Sequence, residues 1–280
     1  MTTTKLTPRK KHTSKLTALW LGDLHLDKAG DQQREKLHDT IYSSESDCVI
    51  LTGDIANSHQ LLDQLSKIAS ACWPRPCYFT PGNHDYHGSS IAEVEKTLER
   101  LQTEVPNFHF LNGKRLMPLG HDTCLIGHGG WADARAGNGQ RTIIDSPDRH
   151  AIRDFHGMGR TMALRKMNEL GRDSAAAIRK ILPLALTRYH HVVIATHVPP
   201  YPTSVLYDGQ PCGRMHLPHF VNLSTGLAIL GIARAYPHRR ITILAGHAHS
   251  KCIQTILPNL IIRVGHARTG RPAVFELLNL

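Results

Sequence analysis

The sequence predicts an α/β fold in which several strand ends converge on one site. Three observations carry this: short β-branched runs closed by glycine, helical patterns alternating with the early runs, and a polar cluster directly after each of five runs. Short apolar runs of this kind read as buried strands. In open α/β sheets ligands bind in the crevice outside the carboxyl ends of the strands, so five such ends can pool their side chains.

The first run, within ALWLGDLH (18–25), predicts a strand over 17–22 that releases Asp23 and His25. A helical pattern near 32–45 follows, then CVILTGD (48–54) predicts a strand over 47–53 closed by Gly53 and Asp54. A second helix near 58–71 leads to a strand over 76–80 and the loop TPGNHDYHG, which crowds Asn83, His84 and Asp85 together. This is a βαβαβ start. Residues 90–103, 160–170 and 173–188 carry further helical patterns, while 107–128 and 240–279 hold short strand-like runs expected in a second sheet. Within them HVVIATH (191–197) delivers His197, and ITILAGHAH (241–249) delivers His247 and His249. Two long loops, near 128–159 and 198–219, read as lids or binding segments, because structureless loops of that length are usually functional.

Composition narrows the class. Because the clusters run from Asp23 to His249 and must share a site, the 280 residues are expected to form one domain over 16–280 behind a basic tail, 1–15. The tail holds five of the 33 basic residues and none of the 23 acidic ones, which is half of the formal net charge of +10. It reads as a disordered, solubilising arm, with contact to a phosphate backbone as the alternative. No stretch approaches the roughly 18 apolar residues of a membrane span. The basic start followed by LTALWLG imitates a signal peptide, but the apolar segment is short and Asp23 interrupts it. Six cysteines without a C-x-x-C pair fit a reducing, cytoplasmic setting.

Asp23, His25, Asp54, Asn83, His197, His247 and His249 are seven oxygen or nitrogen donors with no thiolate. One four-ligand metal would leave three spare, whereas two metals with four protein ligands each are satisfied if one carboxylate bridges. Two divalent cations point to hydrolysis of a phosphate ester by in-line attack of metal-activated hydroxide. His84 is not needed for the count and is placed to protonate the leaving oxygen or to stabilise charge there, with Asp85 expected to orient its imidazole. His87, His121 and His128 read as neighbours of these blocks, His216 and His219 as loop residues, and His190 and His191 as a capped or exposed strand start.

The blocks D-x-H, G-D, G-N-H-D, a lone H and G-H-x-H, in this order across nearly the whole chain, resemble the calcineurin-like metallophosphoesterase family. That resemblance implies a four-layer αββα sandwich of two mixed β-sheets with a dinuclear site at the strand ends. It implies that Asp23, His25, Asp54 and His249 hold one metal and Asp54, Asn83, His197 and His247 the other, with Asp54 bridging and His84 catalytic. It also implies a loop over the site within GHGGWADARAGN (127–138). Trp131, Asp133 and Arg135 are then candidate substrate contacts together with Asn83, His84 and Tyr201 of the second loop, although Trp131 could instead anchor its loop. The metals are expected among Mn, Fe, Zn or Ni, with Mn or an Fe-containing pair favoured. A phosphorylated small molecule is the expected substrate, a phosphodiester or phosphomonoester, with a nuclease as runner-up and a non-catalytic scaffold as the remote alternative.

Overall fold

The computed structural model describes residues 16–280, so the expected tail lies outside the described residues. The first half of the chain runs β1 (Thr17–Leu21), α1 (Asp31–Ser43), β2 (Cys48–Thr52), α2 (Ser58–Cys72), β3 (Cys77–Thr80), α3 (Ile91–Glu104) and β4 (Phe108–Phe110). The second continues with β5 (Met117–Pro118), β6 (Thr123–Gly127), α4 (Asp148–Ala151), α5 (Arg160–Arg188), β7 (His191–Ala195), β8 (Leu206–Tyr207) and β9 (Gln210–Pro211). It closes with α6 (Leu217–Phe220), α7 (Leu223–Ala235), β10 (Arg240–Ala245), β11 (Cys252–Leu257), β12 (Leu260–Val264) and β13 (Val274–Asn279).

Two mixed sheets result, in the orders β13-β1-β2-β3-β4 and β11-β12-β10-β7-β6-β5. In the first, β1 to β4 are parallel and β13 joins β1 antiparallel. In the second, β6, β7, β10 and β12 are parallel, with antiparallel edges at β5 and β11.

Side-chain alternation along these strands builds the layers, because successive residues point to opposite faces. Ala18, Trp20, Ile50 and Tyr78 of the first sheet meet Leu125, Val193, Ala195 and Leu244 of the second, forming the apolar seam between the sheets. The intervening Leu19, Leu21, Val49, Leu51 and Phe79 face outward onto residues of α1, α2 and α3. On the other side Val192, Ile194, Ile241 and Ile243 face α5 and α7. The product is the expected four-layer αββα sandwich. Each fully buried large apolar side chain contributes about 1.5–3 kcal/mol, so burial on both sheet faces is what fixes the strand register.

The two helical patterns at 160–170 and 173–188 are one helix of 29 residues, α5. Gly171, which falls between the two patterns, does not interrupt the helix, and its place there has a packing reason. A Cβ there would strike Asp133 and come within 3.1 Å of the Trp131 carbonyl, so the glycine admits the 128–137 segment rather than ending the helix. Among the described residues no helix is long and apolar enough to cross a membrane.

His191, expected as a capped or exposed strand start, is not exposed. It is buried at the start of β7, with Nε2 2.9 Å from Thr242 Oγ1 and Nδ1 accepting from Arg240 Nη2 at 2.8 Å. Burial, then the Arg240 charge, pushes the imidazole down to about 3. An unfolded histidine titrates near 6.5, so between about 6.5 and 3 the unfolded chain binds a proton that the folded chain refuses. Stability is therefore expected to fall as pH drops through that window, with His191→Gln reducing the slope. Thermal melts against pH check this, and an unchanged slope in the variant would refute it.

Candidate metal centre

The loops after β1, β2 and β10 place their polar residues by means of an unusual backbone. Asp23 (φ 48°), His25 (42°), Asp54 (55°), His247 (67°) and His249 (55°) are five of the seven non-glycine residues with left-handed φ among the described residues. This conformation is uncommon for side chains larger than glycine, and its clustering marks a functional site. Gly53 (φ 83°) supplies a close approach, since a Cβ there would lie 2.5 Å from the Gly82 nitrogen and 2.7 Å from His197 Nδ1.

All seven expected donors meet in one place. His25 Nε2 lies 3.2 Å from His249 Nε2, which is 3.4 Å from Asp23 Oδ1. The carboxylate of Asp54 stands between two groups, with Oδ2 3.8 Å from His25 Nε2 and Oδ1 3.3 Å from His197 Nε2. His197 Nε2 is also 3.1 Å from Asn83 Oδ1. The backbone N–H of His84 donates to Asp54 Oδ1 at 2.9 Å, and its ring lies against that of His25, with centroids 4.7 Å apart. Ligand atoms of Asp23, His25 and His249 fall within 4.8 Å of one another, as do those of Asp54, His197 and His247.

The donor set fits cations. His197 spends its Nδ1–H on the Thr52 carbonyl at 2.8 Å, so Nε2 presents a lone pair to the oxygens of Asp54 and Asn83. The Asn83 amide donates from Nδ2 to Asp148 at 2.8 Å, which turns its oxygen toward the same point. His247 Nε2 is 2.9 Å from the His219 carbonyl, leaving Nδ1 for the cluster. Lone pairs aimed at one another across about 3 Å are what a divalent ion with nitrogen and oxygen ligands requires. Burial holds His25 down to about 4 and His197 down to about 3, so both imidazoles are neutral and able to ligate. Burial raises the Asp54 carboxyl, and the charges of Asp23 and Asp85 raise it further. For Asp23 the upward push of burial is outweighed by the hydrogen bond to His249 and the charges of His197 and His249, which hold it at about 2.

The family model for calcineurin-like phosphoesterase matches residues 16–251. The chain belongs to the calcineurin-like phosphoesterases. It is a metal-dependent phosphoric ester hydrolase. Comparison with curated proteins found no match. Among solved structures, the dimetal phosphatase of Danio rerio superposes with a TM-score of 0.56 at 14% identity, over 90% of this chain and 88% of that one. TT1561 of Thermus thermophilus gives a TM-score of 0.55 at 13% identity, over 90% of each chain. GAP50, the anchor in the inner membrane complex of Plasmodium, gives 0.51 at 10% identity, over 95% of this chain and 79% of that one. At these identities the likeness concerns the fold, which an enzyme and an anchor share.

Around the cluster of this phosphoesterase, several expected roles need correction. Asp85 does not orient His84. It is fully buried and accepts the backbone N–H groups of Asp54, Ile55, Ala56 and Gly82 at 2.8–3.2 Å, tying the β2 and β3 loops together. Burial pushes its carboxyl up to about 7 against the downward pull of those four bonds. Since an unsatisfied buried donor costs about 1–3 kcal/mol, Asp85→Asn, with one acceptor in place of two, is expected to lose roughly 2–4 kcal/mol of stability. Denaturant unfolding of the metal-free protein checks this. A variant as stable as the wild type but selectively slow on alkyl esters would restore the orienting role.

Besides His25, the ring of His84 lies against that of His87, with centroids 4.3 Å apart. His87 Nε2 lies 2.7 Å from Asp148 Oδ1, the atom that also accepts from Asn83. Asp148 comes from the 128–159 loop and has no motif around it in the sequence. Tyr201, a candidate substrate contact, is a core residue instead, and Trp131 takes its alternative place as the anchor of its loop. Trp131 is 6% exposed and stacks on Phe155 with centroids 5.8 Å apart. Tyr201 is 7% exposed and donates its hydroxyl to the Gly226 carbonyl at 3.3 Å. Arg135 is exposed and donates to Ser224 Oγ at 3.0 Å rather than joining the cluster. Asp133 is buried and accepts the Ser224 N–H and hydroxyl, both at 2.7 Å, at the first turn of α7.

Proposed function

We propose that this phosphoesterase uses two divalent cations to hydrolyse a small phosphorylated molecule, a monoester or diester. The observation that supports it most directly is the position of the Asp54 carboxylate, whose two oxygens face different donor groups. Asp23, His25, Asp54 and His249 would hold one cation, and Asp54, Asn83, His197 and His247 the other. When bound, two such ions neutralise phosphoryl oxygens and lower the pKa of the attacking water. Nitrogen and oxygen donors without thiolate suit Mn, Fe, Zn or Ni.

The rest of the chemistry belongs to the chain. Water oxygen forms the new bond to phosphorus, the bond from phosphorus to the leaving oxygen breaks, and that oxygen must receive a proton. His84 is the group on hand for it. Burial, then the neighbouring His87 and His25, holds its imidazole down to about 3, so in the free protein it is neutral and must take up a proton before it can pass one on. An anionic phosphoryl group beside it favours the imidazolium, which can hand its proton to the leaving oxygen as that oxygen becomes basic and return to the neutral imidazole. Asn83 contributes an oxygen without adding charge, and Asp148 keeps that oxygen turned inward. Cys48, Cys72, Cys77 and Cys124 are buried free thiols, which supports a reducing, cytoplasmic setting.

The deciding experiment is a panel run on protein loaded with each metal, spanning aryl monoesters, aryl diesters, nucleotides and single-stranded DNA. Turnover of the small esters above that of DNA is expected. No turnover of any aryl ester with two metals bound would overturn the reading.

A further inference from the structure

The loop after β12 adds positive charge to the edge where the donor cluster sits. Because β12 runs parallel to β10, its carboxyl end at Val264 lies at the edge from which His247 and His249 project. Residues 265–273 leave from there, and the chain returns to β13, the neighbour of β1. His266 Nδ1 donates to the His249 carbonyl at 2.8 Å, and the Ala267 N–H reaches the same carbonyl at 3.2 Å, fixing the loop to the cluster.

Between this loop and the end of β1 lies a cavity of about 260 Å³, lined by Asp23, His266, Arg268, Arg271 and Phe275 among others. Its two arginines differ from their neighbour on the strand. Arg263 is paired with Glu276 at 2.8 and 2.9 Å, whereas among the described residues no carboxylate meets the guanidinium of Arg268 or Arg271. The fifteen residues outside the described ones contain no acid to do so. Phe275 gives the cavity an apolar wall, with its ring edge-on to Trp20 at 5.1 Å. An open guanidinium presents a planar fork of donors that matches phosphate oxygens, and two of them beside a phosphoryl-binding centre form an anion site with a fixed offset from it.

We infer that this cavity receives a second phosphate group carried by the substrate, so that the enzyme acts on small molecules bearing two phosphates. The inference rests on the cluster beside it being the place where the first phosphoryl group binds. Arg268 and Arg271 then select for charge at a distance from the reacting atom, and His266 joins the loop they stand on to His249.

A binding measurement reads the site whether or not the probe is cleaved. Adenosine 3′,5′-bisphosphate and adenosine 5′-monophosphate are titrated calorimetrically into the metal-loaded His84→Ala chain, and into the same chain carrying Arg268→Ala and Arg271→Ala. The parent is expected to prefer the bisphosphate by about tenfold or more, as charge-assisted phosphate contacts allow. The alanine pair should erase that preference, and Arg268→Lys with Arg271→Lys, which keeps the charge, should restore part of it. Because both arginines are exposed, the variants are expected to melt with the parent. Two nucleotides that bind alike to the parent, or a preference that survives the alanine pair, would overturn the inference. Turnover of an aryl phosphate by the wild type, measured alongside, tests the proposed hydrolysis separately.

Discussion

Asp54→Asn is expected to leave the purified protein with almost no bound metal, whereas His25→Ala should keep about one ion per chain. The difference follows from geometry. Asp54 turns Oδ1 to His197 and Oδ2 to His25, so an amide in its place puts an N–H₂ group against one of two lone-pair clusters and removes a negative charge from both. His25 faces His249 and the Asp54 Oδ2 side, and its loss leaves Asn83, His197 and His247 intact. Activity should fall with the metals by about 10³ or more, since even a single well-placed electrostatic donor is commonly worth 10²–10³. Unfolding is not an alternative cause. In the metal-free protein burial and the charges of Asp23 and Asp85 disfavour the Asp54 carboxylate, so the neutral amide should melt no lower than the wild type. Metal analysis after dialysis decides the matter, and equal loss of one ion in both variants would end the bridging assignment.

His84→Ala should retain both ions and lose on the order of 10²–10⁴ in rate on an alkyl or ribose ester, but far less on a nitrophenyl ester. A proton is worth most to the oxygen that leaves worst. The ring of His84 lies between those of His25 and His87, with centroids 4.7 and 4.3 Å away, so its removal opens space without unseating any of the seven donors. Equal losses on the two esters with metals in place would mean that the imidazole stabilises the phosphoryl group rather than passing a proton.

The architecture was readable because β1, β2, β3 and β7 are buried on both faces and therefore appear as continuous apolar runs with abrupt polar ends. The donors were readable for the same reason, as each follows such a run directly. Asp85 misled because adjacency in sequence suggested contact with His84, while the tight turn over His84–Tyr86 sends the two side chains in different directions. Asp148 could not be found from periodicity. It opens the short helix α4, 65 residues beyond Asn83, and only the folded chain brings the two within 2.8 Å. The places of Trp131 and Tyr201 in loops suggest substrate contact, but these loops fold back over the core and bury both rings, so that Trp131 anchors its loop. The arginines at 268 and 271 follow a run that releases no familiar block, so nothing in the chain marked that strand end.

The left-handed backbone at Asp23, His25, Asp54, His247 and His249 sets two selective pressures against each other. At each position a glycine would relieve about 1–2 kcal/mol of steric cost, so backbone strain and the need for a donor pull on the same residues in opposite directions. A glycine recovered at any of these positions in a screen that rewards heat resistance alone would need to be counted for metal before being called an improvement.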